Sequence, residues 1–302
     1  MESLEIIEDT PRQIPARAVE NISGGLTPQA GCGACGGTPE TDGQNAIEPS
    51  FIYALGQIEA RFPRLAVEKE FAQAVGRIDT KGLTDRQAFY SVLSQREHHY
   101  LARQLCWVFT IQGLDTYILR PSDSADLELL IQVLQPVPDP WINIVIGIRG
   151  AIAPPDLCNG LIIPIVRFEQ IYTFDRATLI KAIPKPEKMT AKDFAPVAIE
   201  LFDRVLLMTD NAGSTNEHRA LNYLAMRYPA IYAKAAEHFA GSCSLSGVEA
   251  HVSMLSGTRK LVDVVFSFTN RNTDFTEKFF VRVDVTEEFP FLVTKLSPYY
   301  DR

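Results

Sequence analysis

The chain has 302 residues, 46% of them apolar, which is ample for a sizeable core and excludes disorder throughout. A formal charge of −8 repels phosphate backbones and anionic lipid surfaces, arguing against nucleic-acid or membrane partners. No stretch approaches the roughly eighteen apolar residues of a membrane-spanning helix, no basic start with an apolar signal core opens the sequence, and five cysteines fit a reducing compartment better than a disulfide scaffold; together these predict a cytoplasmic protein.

In chain order, residues 21–47 are dominated by Gly, Thr, Asn, Pro and Asp, and the apolar patch before them (Leu4, Ile6, Ile7) is too small to fold alone. Residues 1–47 are therefore predicted to be a flexible arm or linker, and 48–302 a single α+β domain. The arm contains "QAGCGACGGTP", in which Gly31, Gly33 and Gly36 match G-x-G-x-x-G. A dinucleotide loop needs an apolar strand before it and a helix after it, and here both flanks are polar turn formers. A redox dithiol would place Cys32 at a helix start, yet no helical pattern follows. What remains is linker or, as the alternative, a zinc clip through Cys32 and Cys35, whose further ligands would come from Cys106, Cys158, Cys243 or a histidine far along the chain.

From residue 48 the pattern turns helical. Phe51, Leu55, Ile58 and Phe62 recur at spacings of three and four and predict a helix that Pro63 stops. A second helix covers "AVEKEFAQAV", and a third follows Thr84-Asp85 through "RQAFYSVLSQREHHYLARQLCW". On that helix His98 and His99 diverge by roughly 100° and cannot readily share a metal; one is expected to face the core edge and the other water. "WVFTIQGLDTYILRP" reads as a hairpin around Gly113-Leu114-Asp115, "SADLELLIQVLQ" as a helix, and "INIVIGI" and "LIIPIVRFEQIYTF" as strands, with Pro164 marking an edge or bulge.

Two more helices are predicted over "DFAPVAIELFDRVLLM" and "STNEHRALNYLAMRYPAIYAKAAEHF". The second opens on Ser214-x-x-Glu217, a capping box. Its plain role is to start the helix; its functional reading is that free amides at Gly213 and Ser214, with His218 and Arg219 in the first turns, receive a carboxylate or a peptide terminus. The final segment alternates apolar and polar residues in three runs joined by "SGTR" and "RNTD", a three-stranded antiparallel meander. Val262, Val264, Phe266 and Phe268 share one face of the middle run, and Phe279, Val281, Val283 and Val285 one face of the last. The predicted fold is thus α+β, a helical layer packed on antiparallel sheet.

No Gly-x-Ser-x-Gly elbow and no His-Glu-x-x-His occur. Cys243 in "GSCSLSG" reads as a small buried hydrophobe, and the adjacent Glu287 and Glu288 suit no two-carboxylate mechanism.

The ending, residues 256–302, resembles the C-terminal domain of cyanobactin maturation proteases of the PatA and PatG type. Residues 51–73, 96–121 and 210–232 resemble the same domain in the same order. In that family the domain follows a subtilisin-like protease or macrocyclase in pathways that cleave and cyclise ribosomal peptides, and its own role is unassigned. The resemblance implies a biosynthetic context rather than an activity. With the missing catalytic constellations it leads to the expectation of an accessory, non-catalytic domain that docks on the protease or macrocyclase or binds the precursor peptide, by strand addition to an exposed sheet edge or through the helix start at Ser214. Two rivals stand beside it. One is a metal-dependent or thiol enzyme acting on the peptide through Cys32, Cys35 or Cys243; the other is a self-associating scaffold such as a homodimer.

Overall fold

The computed structural model describes residues 49–76, 84–137, 140–183, 185, 189–208 and 210–300. The predicted arm at 1–47, and with it Cys32 and Cys35, lies outside the described residues. The fold class is α+β, built around two separate sheets.

The described chain opens on strand β1 (Ser50–Arg61), where helical spacing predicted a helix. The reason is visible in its two faces. Ile52, Ala54 and Ile58 belong to one apolar core, whereas Tyr53 and Leu55 belong to another. A strand buried on both sides is apolar almost continuously, so a three-and-four spacing can be picked out of it by chance. Gly56 allows the strand to press against its neighbour, since a Cβ there would lie 2.2 Å from the Thr110 carbonyl oxygen.

After β1 come α1 (Leu65–Val75), α2 (Asp85–Leu93) and α3 (His99–Gln104). Thr84 caps α2 in a reciprocal box with Gln87. The long helix predicted from Thr84 breaks at Gln95, whose backbone is extended. That break turns His98 inward, with Nδ1 3.3 Å from the Val92 carbonyl oxygen, and leaves His99 partly exposed beside Glu128.

Strands β2 (Cys106–Ile111) and β3 (Leu114–Pro121) form the expected hairpin, followed by α4 (Leu127–Val133) and strands β4 (Trp141–Ile152) and β5 (Pro164–Asp175). These strands close into a five-stranded barrel in the order β1-β2-β3-β5-β4, antiparallel except for the β3–β5 pair. Pro164 opens β5 opposite Ile152, at a register irregularity that tolerates its missing N–H. β1 pairs with β4 along residues 50–56 and with β2 along 57–61. Where it changes partner, the Ile58 N–H donates to buried Asn143 Oδ1 at 2.9 Å, so no backbone donor is stranded there. Helices α1 to α4 share the barrel's apolar core.

Arg61, ending β1, forks onto Asp115 at 2.8 and 2.7 Å and holds that carboxyl below its ordinary value. An unfolded Asp titrates near about 3.9, so the stabilisation is complete above that pH and is lost as pH falls through the lower folded value. Thermal midpoints of the wild type and Asp115→Asn should differ at neutral pH and converge in acid. Both side chains are about a third exposed, so added salt should narrow the neutral gap.

The second half begins with α5 (Arg176–Ala182), which the sequence pattern did not reveal, and α6 (Ala191–Leu206), capped by Thr190. The predicted helix from Ser214 is two helices, α7 (Asn216–Arg227) and α8 (Ala230–Ala240), because Pro229 offers no N–H to continue the first. The meander is present as β6 (Cys243–Val252), β7 (Leu261–Asn270) and β8 (Thr276–Asp284). Two short strands, β9 (Phe291–Leu292) and β10 (Ser297–Pro298), extend its sheet on β8, in the order β10-β8-β7-β6 with β9 also on β8. Helices α6 to α8 lie between two β layers: their core takes Tyr53, Leu55, Ile142, Ile144 and Ile146 from the barrel, and the inner faces of β7 and β8 from the meander.

Candidate functional site

The corner that joins α6 to α7 holds every described residue singled out from the sequence as a binding group. The N-cap of α7 is Thr215 rather than Ser214: its hydroxyl accepts from the His218 N–H at 3.1 Å. Both residues have the right chemistry, and helix phase selects the second. Gly213 has φ +68° and lies against the middle of β1, where its carbonyl accepts from the Tyr53 N–H at 2.9 Å. Ser214 is half-buried beside Tyr117, whose hydroxyl donates to the Ala212 carbonyl at 2.9 Å. Beneath them Asn211 and Asn222 exchange amide hydrogen bonds of 2.8 and 3.1 Å, and Asn222 also donates to the Tyr53 carbonyl at 2.8 Å. The corner is thereby fastened to the barrel.

His218 is half-buried, and burial lowers its pKa against the pull of Glu217 and Asp210. Arg219 points inward and is 2% exposed. Its guanidinium donates to the carbonyl oxygens of Val285 (2.7 Å), Glu288 (3.1 Å) and Glu287, tying α7 to the turn after β8. Burial pulls its pKa down to about 10, opposed by Glu288 and Glu287. The Glu288 carboxyl is in turn raised by burial and by Glu169, against Arg219 and Arg167. Gly213, Ser214, His218 and Arg219 therefore share one corner, in which Arg219 turns inward: its two terminal nitrogens donate to this chain's own backbone, while its Nε and the His218 Nδ1 are buried without a hydrogen-bond partner among the described residues.

A different concavity is open. β6 is the edge of its sheet, and a bulge at Ser246 interrupts its pairing with β7, since Leu245 pairs with Phe268 and Gly247 with Ser267. The inner face of β6, carrying Val248, Ala250 and Val252, is only partly covered by the helices. Between this strand and α6 runs a groove of about 950 Å³, walled by Pro196, Ile199, Leu207, Met208 and Val248. Its rim carries Glu200, Asp203 and Arg204. Arg204 pairs with Glu200 and reaches the Ser246 carbonyl at 3.4 Å, while Arg271 reaches that of Cys243 at 3.5 Å. Both carbonyl contacts are long for hydrogen bonds from a guanidinium. Sequence reasoning missed the groove because α6 and β6 lie some forty residues apart and neither pattern reveals which strand ends a sheet.

The cysteines need one correction. Cys106 and Cys158, taken from the sequence as reduced thiols and distant zinc candidates, are joined in a disulfide. They are 52 residues apart, and the loop between β4 and β5 brings their Cα atoms to 5.5 Å, within bridging range. Cys243 is a partly exposed free thiol 3.7 Å from the Gly241 carbonyl oxygen. Among the described residues no group of three or more His, Cys, Asp or Glu side chains is arranged to hold a metal, and no helix among them is long and apolar enough to cross a membrane. Asp263 is forked to Arg282 at 2.7 and 2.9 Å, and Asp284 is paired with Arg259; these buried carboxylates are structural partners.

Comparison with known proteins gives two findings. Residues 188–299, from the approach to α6 through β10, match the family model described as PatG C-terminal. A solved structure described as the "PatG Domain of Unknown Function" superposes with a TM-score of 0.67 at 21% identity, covering 83% of this chain and 98% of that one, a likeness of fold. None of the curated proteins compared with the chain matches it. Residues 188–299 are thus similar to the PatG C-terminal family, in agreement with the resemblance read from the sequence, and the fold is that of the solved PatG domain.

Proposed function

We propose that this is a non-catalytic accessory domain in the maturation of ribosomally made cyclic peptides, and that it holds an extended segment of the precursor peptide by strand addition to β6. The observation that carries this is the groove itself, which continues the inner face of the meander past its last strand. An added strand would pair with the free backbone of β6 and drop alternate side chains between Val248 and α6, the arrangement by which sheet edges take peptides. Three buried charged groups support the non-catalytic part: Arg219 clamps backbone carbonyls, and Asp263 and Asp284 are held in ion pairs.

Leu207 gives the test. It lines the groove and is 66% exposed, so Leu207→Glu should leave the fold intact. Burying a leucine on binding is worth about 1.5–3 kcal/mol, so the substitution should weaken titration with synthetic precursor peptide by about tenfold or more. Binding that survives Leu207→Glu unchanged would move the peptide elsewhere. If the free protein is instead a dimer that Leu207→Glu dissociates, a second copy occupies the edge. If peptide fails to bind while the maturation protease does so in a Leu207-dependent way, the groove docks the enzyme.

A further inference from the structure

We infer that Cys106–Cys158 is a thiol–disulfide exchange site for a small thiol bearing carboxylates, and not merely a staple. Three observations meet at this bond. First, Cys158 opens a turn in which Cys158, Asn159 and Gly160 have φ of +49°, +56° and +85°. Asn and Gly take the left-handed region readily, so the cost falls on Cys158, where the crosslinked loop has to hold it, and such backbone clusters at functional positions. Second, the two cysteines form a wall between cavities of about 300 and 240 Å³. With only 5% and 8% of these residues exposed, the bond is within reach of a small molecule entering a cavity and closed to the face of another protein. Third, the larger cavity is lined by Arg103 and Arg120 and by no acidic residue, in a chain whose formal charge is −8. Both arginines are exposed, and neither makes an ion pair among the described residues.

The chemistry is a two-step exchange. The incoming thiolate attacks the Cys158 sulfur, the S–S bond breaks, a mixed disulfide forms, and Cys106 departs as a thiolate. A second thiol attacks the sulfur of the bound thiol, releasing the small-molecule disulfide and the Cys158 thiolate; both protein thiolates take up the protons that the two small thiols gave up. The protein disulfide is reduced by two electrons, and two small thiols are oxidised. Positive charge around the cavity favours both the approach of an anionic thiol and the departure of a thiolate. Once the bond opens, the turn at 158–160 is free to relax, so the redox state would set the shape of the loop between β4 and β5.

The experiment uses the full chain with Cys32, Cys35 and Cys243 replaced by serine, so that only this pair reports. The oxidised protein is exposed in native buffer to reduced glutathione or, at the same thiolate concentration, to uncharged 2-mercaptoethanol, and free thiols are alkylated and counted by mass spectrometry. Native-state reduction by glutathione, through an adduct of one glutathione, is the expected result. Arg103→Gln with Arg120→Gln should slow glutathione about tenfold and change 2-mercaptoethanol by less than about twofold. Cys106→Ser, which removes the resolving thiol, should trap the adduct on Cys158 when oxidised glutathione is supplied. A bond that yields only after denaturant is added, or arginine substitutions that slow both thiols equally, would overturn the inference.

Discussion

Replacing Gly213 by alanine is expected to destabilise the domain by roughly 2–5 kcal/mol, read as a shift in the denaturant midpoint at unchanged slope. Two costs add. A residue with a Cβ at φ +68° is in the left-handed region, worth about 1–2 kcal/mol. The new Cβ would also lie 2.5 Å from the Tyr53 carbonyl oxygen and 2.6 Å from the Ala54 Cα, both backbone atoms of β1, and such overpacking costs about 1–3 kcal/mol. Neither neighbour can swing aside as a side chain would. The loop would have to lift off the barrel and strain the Tyr53–Gly213 hydrogen bond and the Asn222 contact beside it. Gly257 is the control, because a Cβ there meets nothing within 4 Å; Gly257→Ala should stay within about 0.5 kcal/mol of the wild type. Equal effects at the two positions would mean that the α6–α7 corner is not seated on β1.

What could be read from the sequence was local in origin. The turn at Gln112-Gly113 has φ of +52° and +77°, and the Gly between two β-prone runs announced it. The start of α2 was legible at Thr84-Asp85, because a helix cap is set by consecutive residues. The meander was legible because its inner positions alternate strictly, Val262 through Phe268 against Val281 through Val285. The failures each involve a partner distant in sequence. β1 looked helical because it is covered by α1–α4 on one side and α6–α8 on the other. Closure of the barrel depends on β1 changing partner between Gly56 and Gln57, which no period encodes. Cys106 found Cys158 across 52 residues of intervening fold. The binding groups proposed at Gly213, Ser214, His218 and Arg219 were chosen for helix-start chemistry that does exist one residue later, at Thr215. Tertiary packing then turned Arg219 toward the end of β8, an outcome invisible without knowing what lies beneath α7.

That inward turn makes Arg219 the second site of large expected effect. Arg219→Met keeps most of the aliphatic stem and deletes the donors to Val285, Glu287 and Glu288. Hydrogen bonds from a charged group are worth about 1.5–3 kcal/mol each. The carbonyls of Glu287 and Glu288 are only part-buried and water can replace the arginine there, so the uncompensated loss falls mainly on buried Val285. The net expectation is a loss of about 3 kcal/mol, not the sum of three bonds. Hydrogen exchange should localise the damage, since β9 and β10 follow the clamped turn and should lose protection before β6 and β7 do. Arg219→Lys should recover only part of the loss, because an ammonium cannot reach three carbonyls through a planar fork. The same variants separate the two readings of this residue. If Arg219 is a clamp, the fraction of Arg219→Met that remains folded should bind precursor peptide at the β6 groove with wild-type affinity. Full stability with abolished peptide binding would instead make Arg219 a ligand group and move the site from the sheet edge back to the start of α7.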